Sequence, residues 1–120
     1  MGKNVIKEKS FNFALQVIRL YKELCESKKE FILSKQLLRS GTSVGANIRE
    51  SEHAESKADF IHKLSIAQKE ANESEYWIEL LYKSEYIDKT MYESINDNIS
   101  EIKRLLSSIL VSLKKSKSKQ

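Results

Sequence analysis

Apolar residues recur at helical spacing over most of the chain, in four segments that short polar runs separate. The first segment has apolar side chains at positions 13, 17, 20 and 24, and Ser10 stands where a helix cap is expected. The polar run 26–30 interrupts the pattern, and residues 31–33 lead into a second helix. The sequence therefore predicts a first helix that starts at Ser10 and ends before residue 26.

The second helix has an unusual apolar stripe, because glycines alternate along it with large side chains. Leu37, Gly41, Val44 and Ile48 share this stripe. A glycine in an exposed helix costs roughly 1 kcal/mol relative to alanine, so a close helical neighbour is the expected reason for Gly41 and Gly45. The alternative is a kink at Gly41, since nearby serine and threonine hydroxyls compete for backbone hydrogen bonds.

Ser56 followed by Asp59 resembles a capping box and predicts the start of a third helix. The apolar seam of this helix is bulky at its ends and small in its centre, so the centre is a candidate to face the glycines of the second helix. The seam residues are Phe60, Leu64, Ala67, Ala71, Ser74, Ile78 and Leu81.

Asp88 is predicted to cap the fourth helix, which keeps apolar residues at heptad spacing from Tyr92 to Leu113. The third and fourth helices carry more apolar residues than one packing seam needs, which indicates contacts between subunits. The residues that we predict for this oligomer interface are Trp77, Leu80, Leu105 and Leu110.

Composition favours an all-α fold. The 120 residues include three glycines and no proline, whereas chains built from strands and turns need both residue types. A chain of this length is expected to form one domain with one core. We therefore predict an antiparallel up-down four-helix bundle over residues 1–113, followed by a basic disordered tail at residues 114–120.

Positive charge is concentrated at the C-terminal end of the chain. The formal net charge is +4, and the stretch from Lys103 to Gln120 has six basic residues and no acidic one, while the rest has 15 basic and 17 acidic residues. A lysine-rich tail attracts phosphate groups, although such tails also serve solubility alone. The tail residues that we predict to bind nucleic acid are Lys114, Lys115, Lys117 and Lys119.

A second basic element lies on the second helix, where Lys35, Arg39, Arg49 and His53 share one stripe. Rows of lysine and arginine bind the phosphates of RNA or DNA without reading the bases. The alternative is a solvated helix face whose cations pair with glutamates of neighbouring turns. We predict Lys35, Arg39 and Arg49 as nucleic-acid-binding residues.

No constellation of residues in the sequence supports catalysis, a metal or another cofactor. Carboxylate–histidine pairs at 50/53 and 59/62 have the one-turn spacing of bundle metal ligands, but they flank a turn, where exposed histidines are common. Cys25 lies on an apolar helix flank, which is typical of a small core residue rather than a nucleophile. We expect a protein without enzymatic activity.

A reducing compartment is the expected location, because Cys25 is the only cysteine and cannot form an intrachain disulfide. No apolar run approaches the ~20 residues that span a bilayer, and the N-terminus lacks the apolar core of a signal peptide. The sequence therefore predicts a cytoplasmic protein with no membrane partner.

Several short motifs resemble those of one protein family. The motifs are QLLRS at 36–40, SVGANIRE at 43–50, KADF at 57–60 and AxxEAxExxxW at 67–77. They make the chain similar to the four-helix-bundle family of 23S rRNA intervening-sequence proteins. The residues that match the family pattern are Gln36, Arg39, Ser40, Asn47, Glu50, Phe60, Glu70, Glu73 and Trp77. We assign the polar members to interhelical hydrogen bonds and the aromatic members to packing.

Members of that bacterial family form homopentamers, and the similar accessory proteins of diversity-generating retroelements form pentameric barrels whose basic surfaces bind nucleic acid and a reverse transcriptase. The resemblance therefore implies a homopentamer and leads us to expect binding to RNA or DNA. The alternative hypothesis is a scaffold that binds another protein without direct contact to nucleic acid, for which unused apolar residues such as Trp77, Leu80 and Leu110 are the supporting feature.

Overall fold

The computed structural model describes residues 2–118, with side chains for residues 5–115. Within that range the chain forms four helices and no strand: α1 Gly2–Ser27, α2 Leu33–Ser51, α3 Lys57–Lys83 and α4 Lys89–Ser118. The helices form an elongated body with principal extents of 53 × 23 × 21 Å. The prediction of an all-α, four-helix fold is confirmed.

The first helix starts earlier than its sequence pattern suggested. α1 begins at Gly2, so the predicted start at Ser10 is wrong. Ser10 is buried inside α1, and its Oγ donates a hydrogen bond to the carbonyl of Lys7 at 3.1 Å. A serine whose hydroxyl bonds to the preceding turn has its polar group satisfied within the helix and does not need to cap it.

One buried carboxylate organises the connection between α1 and α2. Lys29 takes a left-handed conformation, with φ 56°, and the N–H of Glu30 then donates to the carbonyl of Leu24 at 3.0 Å. The Glu30 carboxylate accepts hydrogen bonds from the backbone N–H groups of residues 32, 33 and 34 at 3.1, 2.9 and 2.7 Å. These N–H groups would otherwise lack partners at the start of α2.

Side chains also fix the starts of α3 and α4, as the sequence predicted. Ser56 Oγ accepts a hydrogen bond from the N–H of Asp59 at 3.1 Å, and the Asp59 carboxylate accepts one from the N–H of residue 55 at 3.1 Å. Asp88 Oδ1 accepts from the N–H of Met91 at 2.8 Å. The predicted boundary between bundle and tail, after residue 113, lies inside α4, which continues to Ser118.

The predicted apolar seams form the core between the four helices. α1 contacts α2 and α4, and α3 contacts the same two helices. Every predicted seam residue of α1, α2 and α3 is buried except Phe60, which is half-buried at the start of α3. The fully buried residues of α4 are Ile95, Ile99, Ile102 and Leu106.

The two glycines of α2 face α1 rather than the small centre of α3, so that expectation is wrong. A Cβ placed on Gly41 would lie 2.9 Å from Val17 Cγ2, and one placed on Gly45 would lie 3.4 Å from the carbonyl oxygen of Ser10. The close helical neighbour that the glycines predicted is therefore α1.

Hydroxyl groups, rather than glycines, mediate the centre of the contact between α2 and α3. Ser74 Oγ donates to Ser40 Oγ at 2.9 Å, and both side chains are fully buried. α2 itself continues as one helix through both glycines, and the hydroxyls at positions 42 and 43 donate to carbonyls one turn earlier at 2.7 Å. Within the described residues, no buried side-chain nitrogen or oxygen lacks a hydrogen-bond partner.

Candidate functional site

The C-terminal half of α4 presents basic residues on a helix surface. Arg104, Lys114 and Lys115 are exposed, and residues 104 and 115 lie on one face because they are about three turns apart. No acidic residue follows Glu101 in the sequence. The side chain of Lys117 and all of Lys119 lie outside the described part of the chain.

A shallow groove of about 430 Å³ opens between α3 and α4 beside this basic face. Lys103 lines it, and its Nζ donates to Glu75 Oε1 at 2.7 Å, so this cation is paired. Arg104 also lines the groove and has no ion-pair partner among the described residues. Ser100 and Ser107 add hydroxyl groups, which together with Arg104 are suited to contact a phosphate.

The basic stripe predicted on α2 does not form a continuous row of unpaired cations. Lys35 is exposed near the start of the helix, and His53 is exposed in the turn after it. Arg49 lies over the ring of Phe11, with its Cζ 5.2 Å from the ring centroid. Arg39 forms ion pairs with two glutamates of α3, so the charge in the middle of the stripe is compensated.

Arg39 is the centre of a hydrogen-bonded network between α2 and α3. Its guanidinium donates to Glu70 Oε1 at 3.3 Å and to the carboxylate of Glu73, which also accepts the indole N–H of Trp77 at 3.1 Å. The hydrogen bonds from Trp77 and Arg39 hold the pKa of Glu73 below its usual range. The hydrogen bond to Glu73 raises the pKa of Arg39, so both groups are charged at neutral pH.

The four residues predicted as an oligomer interface differ in accessibility. Leu110 is buried within the single chain, at 4% exposure, and offers no surface to a partner. Trp77, Leu80 and Leu105 are half-buried, and Trp77 and Leu105 pack against the edge of the core. The four predicted residues therefore offer little apolar surface, and the exposed large apolar side chains of these helices are Tyr76 and Val111, at 56% and 54%.

Exposed apolar side chains also occur on α1 and in the α1–α2 connection, at positions that the sequence pattern did not single out. Phe11 and Leu15 lie one turn apart on α1 and are 48% and 37% exposed. Phe31 and Ile32, in the α1–α2 connection, are 56% and 75% exposed. A small groove of about 170 Å³ adjoins Phe11, where Gly45 leaves space between α1 and α2. The four-residue spacing of Phe11 and Leu15, off the buried seam of α1, was the available sequence signal.

The described residues form neither a metal-binding group nor a membrane-spanning helix. Among residues 2–118, no group of three or more histidine, cysteine, aspartate or glutamate residues is arranged to hold a metal ion. Cys25 is half-buried, with its Sγ 3.9 Å from the hydroxyl oxygen of Ser34. In the same part of the chain, no helix combines the length and apolar character needed to cross a membrane.

Comparison with known proteins identifies the family. The family model described as 23S rRNA-intervening sequence protein matches residues 2–108. The chain belongs to this family. It is also similar to a crystal structure of a protein with unknown function from the S23 ribosomal protein family of Bacteroides thetaiotaomicron. The two share 60% sequence identity with a TM-score of 0.91, over 92% of this chain and 98% of that one. The comparison with curated proteins finds no match.

The residues that match the pattern of 23S rRNA-intervening sequence proteins lie mainly at the contact between α2 and α3. The predicted interhelical hydrogen bonds are confirmed for Arg39, Ser40, Glu70 and Glu73. Asn47 differs, because its Nδ2 donates to a carbonyl of its own helix at 2.9 Å. Phe60 and Trp77 pack against the core, as expected of the aromatic members. In this chain the family pattern therefore stabilises a helix pair.

Proposed function

We propose that this 23S rRNA-intervening sequence protein is a non-enzymatic oligomer that binds the backbone of RNA or DNA through the C-terminal part of α4. The observation that carries the proposal is the exposure of Arg104, Lys114 and Lys115 on a stretch of helix without acidic residues. Phosphate contacts of this kind give affinity that depends on salt and little on base sequence. The single, unpaired cysteine supports a cytoplasmic location.

The basic residues of α2 have a smaller part in this proposal. Arg39 is held by Glu70 and Glu73, and a phosphate would have to compete with these carboxylates for its guanidinium. Lys35 remains exposed, and Arg49 is exposed beside Phe11. We therefore assign the main contact with nucleic acid to α4 and an accessory contact to Lys35 and Arg49.

We infer that the helices run antiparallel, up and down, and that the chain assembles as a homopentamer. The first inference rests on the sequence in which α1 and α2 meet, because residues 7, 10 and 17 of α1 lie against residues 52, 45 and 41 of α2, in descending order. The second rests on the family resemblance and is supported by the exposed Phe11 and Leu15 and the half-buried Trp77, Leu80 and Leu105. Repetition in a ring multiplies a weak basic surface into a stronger one.

Gel-shift titrations with structured and single-stranded RNA over a salt series test the nucleic-acid proposal. Changing the four tail lysines together (K114Q/K115Q/K117Q/K119Q) should lower the affinity and reduce the slope of log K against log salt by up to about 3. The matched control changes four exposed lysines elsewhere (K22Q/K57Q/K69Q/K89Q) and should have a smaller effect. No salt-sensitive binding at about 50 mM ionic strength, or an equal loss in both variants, would contradict the proposal.

Light scattering tests the assembly. The chain mass is 13.9 kDa, so a pentamer gives a mass five times that value, and a mass equal to one chain contradicts the inference. The variant F11S/L15S removes exposed apolar side chains without touching the core and should favour smaller species. The control V5S/V111S changes two exposed apolar residues and leaves both Phe11 and Leu15 in place, so it should have a weaker effect.

A second candidate function is a scaffold that binds another protein. The observation in its favour is the exposure of Phe31 and Ile32, two adjacent large apolar residues at a chain reversal. Capture of a partner from native extract after nuclease treatment, lost in F31S/I32S, would favour the scaffold. Loss of the partner on nuclease treatment alone would favour nucleic-acid binding.

A further inference from the structure

A groove of about 680 Å³ lies at the α3–α4 connection, where the last turns of α1 also contribute residues. Its lining includes three carboxylates, from Glu23, Glu85 and Asp88, and one cation, from Lys28. The chain around the groove is also acidic, since residues 79–98 include five acidic and two basic side chains, while residues 22–30 include three of each. The groove therefore lies in a region of negative potential.

Aromatic and apolar side chains form the wall between these carboxylates. Tyr82 stacks on Tyr92, with ring centroids 4.2 Å apart and planes 11° from parallel. An ammonium group already lies against this wall, because Lys83 Nζ is 5.8 Å from the centroid of the Tyr82 ring. Such a wall suits the aliphatic stem of a lysine whose ammonium group reaches a carboxylate. The apolar lining residues are Tyr82, Tyr86, Ile87 and Met91.

We propose that this groove binds the lysine-rich C-terminal segment, residues 114–120, of a second copy of the chain. The segment KKSKSKQ carries four lysines and no acidic residue, so its charge is complementary to that of the groove. The serines between the lysines and the glutamine after them add hydrogen-bonding groups without bulky apolar side chains. The groove thus takes an ammonium-bearing peptide rather than an anion.

A chain cannot place its own segment in its own groove. α4 starts beside the groove with Thr90 and rises about 1.5 Å per residue, which puts Lys114 roughly 36 Å away. Seven residues span at most about 25 Å even when fully extended. The segment must therefore come from another copy, and the contact joins the end of one bundle to the opposite end of the next.

A labelled peptide tests the groove directly. Fluorescein-labelled SLKKSKSKQ, residues 112–120, is titrated with the full-length protein carrying K114Q/K115Q/K117Q/K119Q, so that its own segment does not compete. Fluorescence anisotropy should show saturable binding at about 20 mM salt and much weaker binding at about 200 mM. A peptide with its lysines replaced by glutamine should not bind.

Variants of the groove decide whether peptide binding depends on this site or only on the net charge of the protein. E23Q/E85Q in the same protein should weaken peptide binding roughly threefold or more. The control E93Q/D97Q makes the same change in net charge at exposed acidic residues outside the groove and should leave the affinity within about twofold. Absence of saturable binding at low salt, or equal weakening in both variants, overturns the proposal.

Sedimentation of the unmodified chain provides a second measurement. At low salt it should show end-to-end species beyond the basic assembly, and these should be absent from E23Q/E85Q but present in E93Q/D97Q. Persistence of such species in E23Q/E85Q contradicts the proposal. RNA binding by E23Q/E85Q should be retained or become stronger, because the lysines released from the groove are those assigned to RNA. Loss of RNA binding in K114Q/K115Q/K117Q/K119Q tests the nucleic-acid proposal separately.

Discussion

Replacing Glu30 by glutamine tests whether one carboxylate fixes the start of α2. Glu30 is 7% exposed and accepts hydrogen bonds from three consecutive N–H groups. Glutamine has a similar shape but one acceptor oxygen in place of two, so at least one buried N–H loses its partner. Such a loss costs about 1–2 kcal/mol, and the lost negative charge at a helix N-terminus costs roughly 0.5 kcal/mol more. We expect Glu30→Gln to lower the free energy of unfolding by about 2 kcal/mol.

The same variant tests how the contribution of Glu30 to stability depends on pH. Burial raises the pKa of the Glu30 carboxyl. The hydrogen bonds from the N–H groups of residues 33, 34 and 32 together lower it by more, so the net pKa is below its usual range. The ionised form is therefore favoured by folding. The contribution of Glu30 to stability is fully present above the unfolded pKa of about 4.3 and is lost as the pH falls through the lower, folded value.

Urea denaturation followed by far-UV circular dichroism measures both effects, at one protein concentration because the chain is proposed to be oligomeric. The difference between wild type and Glu30→Gln should be constant from about pH 7 to about pH 5 and shrink below about pH 4. Glu26→Gln is the matched control, since Glu26 is exposed near the end of α1. Equal stability of wild type and Glu30→Gln at neutral pH, or a difference that does not change in acid, would refute the reasoning.

Three further predictions concern the contacts of α2. Gly45→Ala should raise the free energy of unfolding by up to about 1 kcal/mol, because the new methyl group fits at contact distance. Gly41→Ala should lower it by about 1–2 kcal/mol, because its methyl group clashes with α1. Urea denaturation measures both changes. Arg39→Ala should cost about 1 kcal/mol at low salt and less at high salt, in the same assay. Ser74→Ala should cost about 1 kcal/mol, and a double-mutant cycle with Ser40→Ala should show coupling between the hydroxyls.

The features predictable from sequence are those that depend on neighbours a few residues away. The buried seams follow from 3.6-residue periodicity, and the caps at Ser56 and Asp88 bond to N–H groups three residues further along the chain. The sequence does not single out Glu30, because glutamate is rarely a cap and the residue lies in a polar run before the helix begins. The start of α1 was missed because Ser10 bonds within the helix instead of ending it.

Features that depend on the partner helix could not be predicted in this way. A stripe indicates which face of α2 is buried but not which neighbour covers each position, so it does not distinguish α3 from α1, which the glycines face. The pattern of α2 alone predicts Arg39 as a nucleic-acid-binding cation, and only the family resemblance assigns it to an interhelical hydrogen bond, because its carboxylate partners lie 31 and 34 residues later in the sequence. The basic character of the end of α4 is easier to predict. No acidic residue follows Glu101, so no carboxylate further along the same helix can neutralise these cations.

The separation of acidic residues at 70–98 from the basic residues after 102 has a consequence for any ring of identical subunits. Rotation about a cyclic axis adds the component of each subunit's charge dipole that lies along the axis and cancels the component perpendicular to it. A ring whose subunits stand along its axis therefore has two chemically distinct poles, and a polyanion approaching it in solution would be turned toward the basic pole before contact.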